Sequence, residues 1–328
     1  MNKKIIITGA YGFLGRNCAA AFAAAGFEIY GIGHGGWPPC EYGKFGIKTW
    51  LSSDITYESL CSLGLTGRVT AIIHCGGGSS VAYSIENPSL DYKKTVDSTL
   101  AVLEYIRREN PGARLVYPSS TAVYGVCEDR QIMESYRLNP LSPYGFNKAA
   151  AELLCESYHK NYSVKCSIIR FFSIYGEGLK KQLLWEACNK IISASGGLGS
   201  VEFFGTGLET RDWIHISDAA ALTAKAAFSE RDYEIINGGS GVKTTIKDTI
   251  ALISKGFEKH NILPPCVKFN NIVRAGDPAY YWADIRKALE TGWIPKMTLE
   301  EGAARYVDWF INDKFEKPAG PSGIYGNK

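Results

Sequence analysis

The feature that most constrains the fold lies at the amino end. Lys3 to Thr8 is a short apolar, β-branched run, the pattern of a strand buried on both faces. Gly9-Ala-Tyr-Gly12-Phe-Leu-Gly15 follows, and Arg16 to Ala25 then reads as a helix ended by Gly26. Strand, glycine-rich turn and helix N-terminus in this order make a cradle for a pyrophosphate, because backbone N–H groups approach closely where no Cβ intervenes. The spacing is G-x-x-G-x-x-G rather than G-x-G-x-x-G, so the glycines gain their meaning from the elements on either side. The expected cofactor contacts here are Gly9, Gly12 and Gly15 with Tyr11, Phe13 and Leu14 between them.

The alternation of strand and helix continues. Glu28 to Ile32, Lys48 to Leu51, Val69 to Cys75, Arg114 to Pro118 and Val164 to Arg170 read as further strands. Asp91 to Glu109 reads as a long helix ended near Asn110-Pro-Gly, and residues 144 to 158 read as another. Such alternation predicts an α/β fold, a doubly wound parallel sheet (Rossmann) with a smaller C-terminal α/β substrate-binding region. Beyond Tyr175-Gly-Glu-Gly the alternation breaks down into short helices (Leu183 to Ile192, Ile246 to Lys259, Asp284 to Glu290, Leu299 to Asn312) and a strand at Val201 to Phe204. The expected organisation is a dinucleotide-binding domain over 1–174 with a returning segment near 211–240, a mainly substrate-binding region over 175–316, and a tail over 317–328.

Composition excludes several classes. With 45% hydrophobic and 21% charged residues, the chain is an ordinary globule. A net charge of +3 without a Lys/Arg stripe argues against a nucleic-acid partner. Nine cysteines without a C-x-x-C pair and five histidines without metal-ligand spacing argue against a disulfide framework or a metal site, and for a reducing compartment. No signal peptide or membrane span is readable, so a cytoplasmic protein is expected.

The chemistry is carried by Tyr144-Gly-Phe-Asn-Lys148. On a helix, Tyr144 and Lys148 stand i,i+4 on one face. An ammonium about 4 Å from a phenol, at an effective dielectric near 20, supplies the roughly 4 kcal/mol that would bring the phenol from about 10 to near neutrality. Tyr144 would then exchange a proton with a sugar or alcohol hydroxyl, and Ser120 would hold the same oxygen. Ser119 and Ser120 end the fifth strand, at the sheet edge where ligands bind.

The end of the second strand normally selects the dinucleotide, through a carboxylate that accepts from the ribose 2′-OH of NAD. Here that place is Gly33-His34-Gly35-Gly36. The missing carboxylate favours NADP, with His34 as a donor to its phosphate and NAD as the alternative. Asp54, followed by Ile55, either faces the adenine or caps the short helix containing Tyr57 to Cys61.

Taken together, Gly9/Gly12/Gly15, Ser119-Ser120 ahead of Val123-Tyr124-Gly125, Tyr144/Lys148, Arg170-Phe-Phe-Ser-Ile-Tyr-Gly176, Arg211-Asp212 and Arg274-Ala-Gly-Asp277 resemble the extended short-chain dehydrogenase/reductase family. These are the nucleotide-sugar epimerases, dehydratases and 4-ketosugar reductases, and the resemblance covers nearly the whole chain. It implies Ser120, Tyr144 and Lys148 as catalytic residues, with Lys148 also on the nicotinamide ribose. It implies a nucleoside-diphosphate sugar as substrate, with Arg211 and Arg274 on its phosphates and Ser119 and Ser173 among its contacts. It further implies a homodimer formed by the Tyr144 helix and the long helix before it, with Leu153 and Leu154 compatible.

The chain departs from the family in four places. Thr121-Ala122 replaces the Asp-Glu pair of the 4,6-dehydratases, which argues against dehydration. The acidic residue after the second strand is missing, Thr95 stands where Asn is frequent, and Ser173 replaces another Asn. The expected reaction is therefore C4 hydride transfer, by a 4-ketosugar reductase using NADPH ahead of a UDP-sugar 4-epimerase using NAD. A catalytically idle dinucleotide sensor is the third alternative, disfavoured because Ser120, Tyr144 and Lys148 are all present.

Overall fold

The computed structural model describes residues 3–78, 80–195, 199–272 and 278–315. Its centre is a parallel sheet of seven strands: β1 (Lys4–Thr8), β2 (Glu28–Gly33), β3 (Ile47–Ser52), β4 (Val69–His74), β5 (Arg114–Ser120), β6 (Lys165–Phe171) and β7 (Tyr233–Gly238). They lie in the order β7-β6-β5-β4-β1-β2-β3, so the order reverses beside β1, which is the switch point of a doubly wound sheet.

The apolar strands are explained by cover on both faces. Ile5 and Ile7 pack with Cys18, Ala19 and Phe22 of α1 (Phe13–Ala24), while Ile6 faces the other way toward Val102 and Ile106. All three isoleucines are fully buried, each contributing about 1.5–3 kcal/mol.

On the Ile6 side, the helix expected over 91–109 is segmented. It begins as α2 (Val81–Glu86) and α3 (Pro88–Tyr92), widens into a π turn at Lys93–Asp97, and continues as α4 (Ser98–Glu109). The π turn leaves Thr95 Oγ1 accepting from Gly78 N at 2.9 Å, which ties the helix to the turn after β4. The helix bearing Tyr144 is α5 (Pro143–Tyr162), opened by Ser142, whose hydroxyl accepts from Gly145 N at 3.2 Å.

After β6 the chain leaves the sheet through α6 (Gln182–Ala194) and returns through α7 (Ile216–Ala227), which packs against α1, to β7. Beyond it, α8 (Ile246–Glu258) and α9 (Leu299–Phe315) close a separate core with α6, in which Ile253, Phe257, Tyr306 and Phe310 are fully buried. Short strands Ser200–Phe203 and Cys266–Phe269 pair beside it. Among the described residues no helix is long and apolar enough to cross a membrane.

Candidate active site

The carboxyl ends of β1, β4 and β5 open into a cavity of about 1590 Å³ that runs from the glycine-rich turn to Arg211 and Phe203. Gly9, Gly12, Gly15, Tyr11, Phe13, Leu14, His34, Asp54 and Ile55, all expected at a cofactor, line it. The glycine requirement is steric at two of these positions. Gly9 has φ +63°, and a Cβ on it would come within 2.7 Å of Gly76 N; one on Gly15 would lie 2.3 Å from the Gly9 carbonyl oxygen. Backbone is thus packed on backbone under the turn, and the turn meets the N-terminus of α1, a fitting seat for a dinucleotide's pyrophosphate.

At the far side of that seat, the structure joins two residues that were read separately. His34 Nε2 lies 3.0 Å from Asp54 Oδ1, both side chains being well exposed. The end of β2 carries no carboxylate of its own, and Asp54 arrives beside it from beyond β3. Asp54 does not cap the following helix, where Thr56 accepts from Ser59 N at 3.2 Å. Trp50 lines the same end and donates to the Gly35 carbonyl at 3.1 Å.

Ser120, Tyr144 and Lys148 converge on the cavity from β5 and α5. Lys148 Nζ donates to the Pro118 carbonyl at 2.9 Å and stands 4.8 Å over the Tyr117 ring. It is 5.9 Å from the centre of the Tyr144 ring. The titration differs from expectation. Burial raises the Tyr144 phenol above its ordinary value, a hydrogen bond with Ser120 opposes that, and the Asp91 carboxylate adds to it. Burial likewise brings the Lys148 ammonium down to about 8. Desolvation outweighs the attraction of a cation that is engaged elsewhere.

Ser119 and Ser120 point to opposite sides of β5, as strand alternation requires. Ser119, expected at the substrate, lines the cavity as well, is buried, and donates to Glu152 Oε1 at 2.5 Å. Glu152, on α5, pairs with Arg170 of β6, its Oε2 2.6 Å from Nη2, with both side chains 4% exposed. This pair pins the helix carrying Tyr144 and Lys148 onto the sheet. Arg170 further donates to the Tyr124 hydroxyl at 3.1 Å, and that hydroxyl donates to Asn237 Oδ1 at 2.7 Å, so the V-Y-G tyrosine joins β6 to β7. His74, beneath the site, bonds Thr8 at 2.6 Å and Ser98 at 3.2 Å, and burial drives it down to about 3, which leaves it neutral.

At the other end, Ser173 and Arg211 line the cavity. Arg211 Nη1 donates to the carbonyls of Thr210 and Pro278 at 2.8 and 2.9 Å. Asp212 takes its donors from Ser240, Gly241 and Ala283. Arg274, expected beside Arg211, lies outside the described residues. Sequence reasoning missed Lys181 and Gln182, which line the cavity at the start of α6. Gln182 holds a left-handed φ of +69°, a strained conformation of the kind found at ligand clamps. The Lys180-Lys181 pair, shortly after Tyr175-Gly-Glu-Gly, was the available signal.

The model of the NAD dependent epimerase/dehydratase family matches residues 5–239. A putative UDP-glucose 4-epimerase of Methanocaldococcus jannaschii is 27% identical, with 94% of this chain and 99% of that protein covered. A UDP-glucuronate 4-epimerase of Thermodesulfobacterium geofontis is 28% identical over 93% of this chain and 95% of its own length. Among solved structures, a UDP-glucuronic acid 4-epimerase from Bacillus cereus in complex with UDP-glucuronic acid and NAD is 25% identical, with a TM-score of 0.80 over 93% of this chain and 98% of that one. The chain belongs to the NAD-dependent epimerase/dehydratase family, as the resemblance of its motifs anticipated.

Proposed function

We propose that this protein is an NAD-dependent 4-epimerase of a UDP-sugar, rather than the 4-ketosugar reductase that the end of β2 favours when read alone. The observation that carries this choice is the His34–Asp54 pair at 3.0 Å. Asp54 places a carboxylate at the adenosine end of the cavity, where it repels a 2′-phosphate and offers an acceptor to a ribose hydroxyl. Relatives named as UDP-sugar 4-epimerases support the same reading over nearly the full chain.

NAD⁺, when bound, supplies an acceptor and then a donor for the C4 hydride and brings a positive charge to the site. Tyr144 takes the proton of the substrate's 4-hydroxyl and returns it to the C4 oxygen of the keto sugar after that sugar has presented its other face. Ser120 hydrogen-bonds that oxygen, and Lys148 holds the nicotinamide ribose. Arg211 and Lys181 supply positive charge for the diphosphate, an Arg fork being suited to its oxygens. Thr121-Ala122 leaves no acid and base after Ser120 for eliminating water. A second copy of the chain is proposed to cover α4 and α5, where Leu100, Phe146 and Leu153 are 41%, 60% and 63% exposed.

The test is to denature the purified protein and identify the dinucleotide released, then incubate fresh protein with UDP-glucose or UDP-glucuronic acid. Retained NAD⁺ and interconversion of C4 epimers, with no net use of added NADPH, are expected. Stoichiometric oxidation of NADPH by a 4-keto nucleotide sugar, from a site that purifies empty, would overturn the reading in favour of the reductase.

A further inference from the structure

Close behind the reacting groups lies a carboxylate that the reaction as described does not use. Asp91, on α3, is fully buried. Its Oδ2 accepts from Asn147 Nδ2 at 2.7 Å, and among the described residues its Oδ1 has no hydrogen-bond partner. Asn147 immediately precedes Lys148 on α5, so the carboxylate is tied to the turn that carries the ammonium. Its free oxygen lies against the chain at Gly78, where a Cβ would come within 1.9 Å of it. Gly77 and Gly78 line the cavity, and a Cβ on Gly77 would stand 3.8 Å from Lys148 Nζ. Asp91 is thus wedged between the wall of the cavity and the helix bearing Tyr144 and Lys148.

A carboxylate buried this way is strongly unfavourable unless a cation offsets it. The groups around Lys148 identify the partner. Glu152, on the same helix, is neutralised by Arg170. The Cys75 and Cys155 thiols and the Tyr117 phenol are all raised by burial or by their neighbours and stay protonated, and burial raises the Tyr144 phenol as well. His74 is neutral. On the π turn beside α3, Lys94 stands 5.1 Å over the Tyr83 ring. Among the described residues, that leaves Asp91 as the buried negative charge near Lys148 with no ion-pair partner of its own.

We propose that Asp91 is a positioning residue of the reaction centre, the counter-charge to the buried Lys148 ammonium and, through Asn147, the tether of the turn that presents it. The inference rests on the reading of Tyr144 and Lys148 given above. With Asp91 present, Lys148 stays charged through neutral pH; without it, burial acts unopposed and the ammonium gives up its proton at lower pH.

The experiment is Asp91→Asn, which keeps the shape and removes the charge. In protein labelled with ¹⁵N-lysine, the Lys148 resonance is assigned by its loss in Lys148→Met, and its titration midpoint is expected to fall by about one unit in Asp91→Asn. The alkaline limb of kcat should fall with it, costing roughly tenfold at pH 8.5 and under twofold at pH 6.5, with Asp91→Glu restoring the limb. An unchanged midpoint, or an equal loss at every pH, overturns the proposal. Should Asp91→Asn not fold, Asn147→Ala decides: lower kcat with the limb unmoved supports the tether, and wild-type kcat overturns it. Full activity in Tyr144→Phe would instead defeat the underlying reading, whatever Asp91 does.

Discussion

Lys148→Met should make the protein more stable and inactive. The native state holds an ammonium that is 6% exposed, and its proton affinity falls from 10.5 to about 8, with burial as the chief cause. A depression of that size corresponds to about 3 kcal/mol against the charged form at pH 7. Methionine removes this penalty, which is already net of the attraction between Lys148 and Asp91, but loses the hydrogen bond to the Pro118 carbonyl, worth about 1 kcal/mol, so the net gain is about 2 kcal/mol. In a chain of this size that is a rise of a few degrees in melting temperature. The sign of its pH dependence is fixed. Below about 8 both native and unfolded lysine are charged and the penalty is complete. Between about 8 and 10.5 the native lysine gives up its proton while the unfolded one keeps it, so the wild type gains stability and the difference between the proteins closes. Scanning calorimetry of both proteins at pH 7 and at pH 10 measures this directly. A variant no more stable than the wild type at pH 7, or an advantage that does not shrink on raising the pH, would refute the reasoning.

Three further outcomes are expected. Tyr144→Phe should lower kcat at least 100-fold while dinucleotide affinity, read by quenching of intrinsic fluorescence, changes less than about twofold, because only the proton carrier is lost. Asp54→Asn should raise the affinity for NADPH relative to NADH severalfold in paired titrations, since it removes the carboxylate paired with His34 at an exposed site. Glu152→Gln should destabilise the fold by about 3–5 kcal/mol in denaturant titrations, because Arg170 would be left charged and buried without its partner.

The parts of this fold that a reader of the sequence can see are those fixed by local pattern. Ile5-Ile6-Ile7 between a charged start and Gly9 admits little besides a strand covered on both faces, and the glycines after it declare what the turn must hold. What the pattern hides is direction and partnership across space. Ser119 and Ser120 are adjacent in the chain and both line the cavity, yet it is Ser119 that donates to Glu152. The i,i+4 spacing of Tyr144 and Lys148 places both on one side of α5, but not the ammonium's turn toward the Pro118 carbonyl. The widened turn at Lys93–Asp97 adds no break to the run of helix formers, so it reads as unbroken helix. Asp54 lies about 20 residues beyond His34, and only the pairing of β2 with β3 brings them together.

The late return of β7 bears on how the chain acquires its structure. Residues 4–171 contain six strands of the sheet, but the seventh begins at Tyr233, and its register runs from Tyr233 beside Cys166 to Gly238 beside Phe171. During synthesis the dinucleotide-binding half must therefore wait some sixty residues with β6 as an open edge bearing Ile168 and Ile169. A ribosome releasing the chain at residue 174 would deliver not a smaller independent domain but a sheet with an apolar border, able to pair with another such border and aggregate.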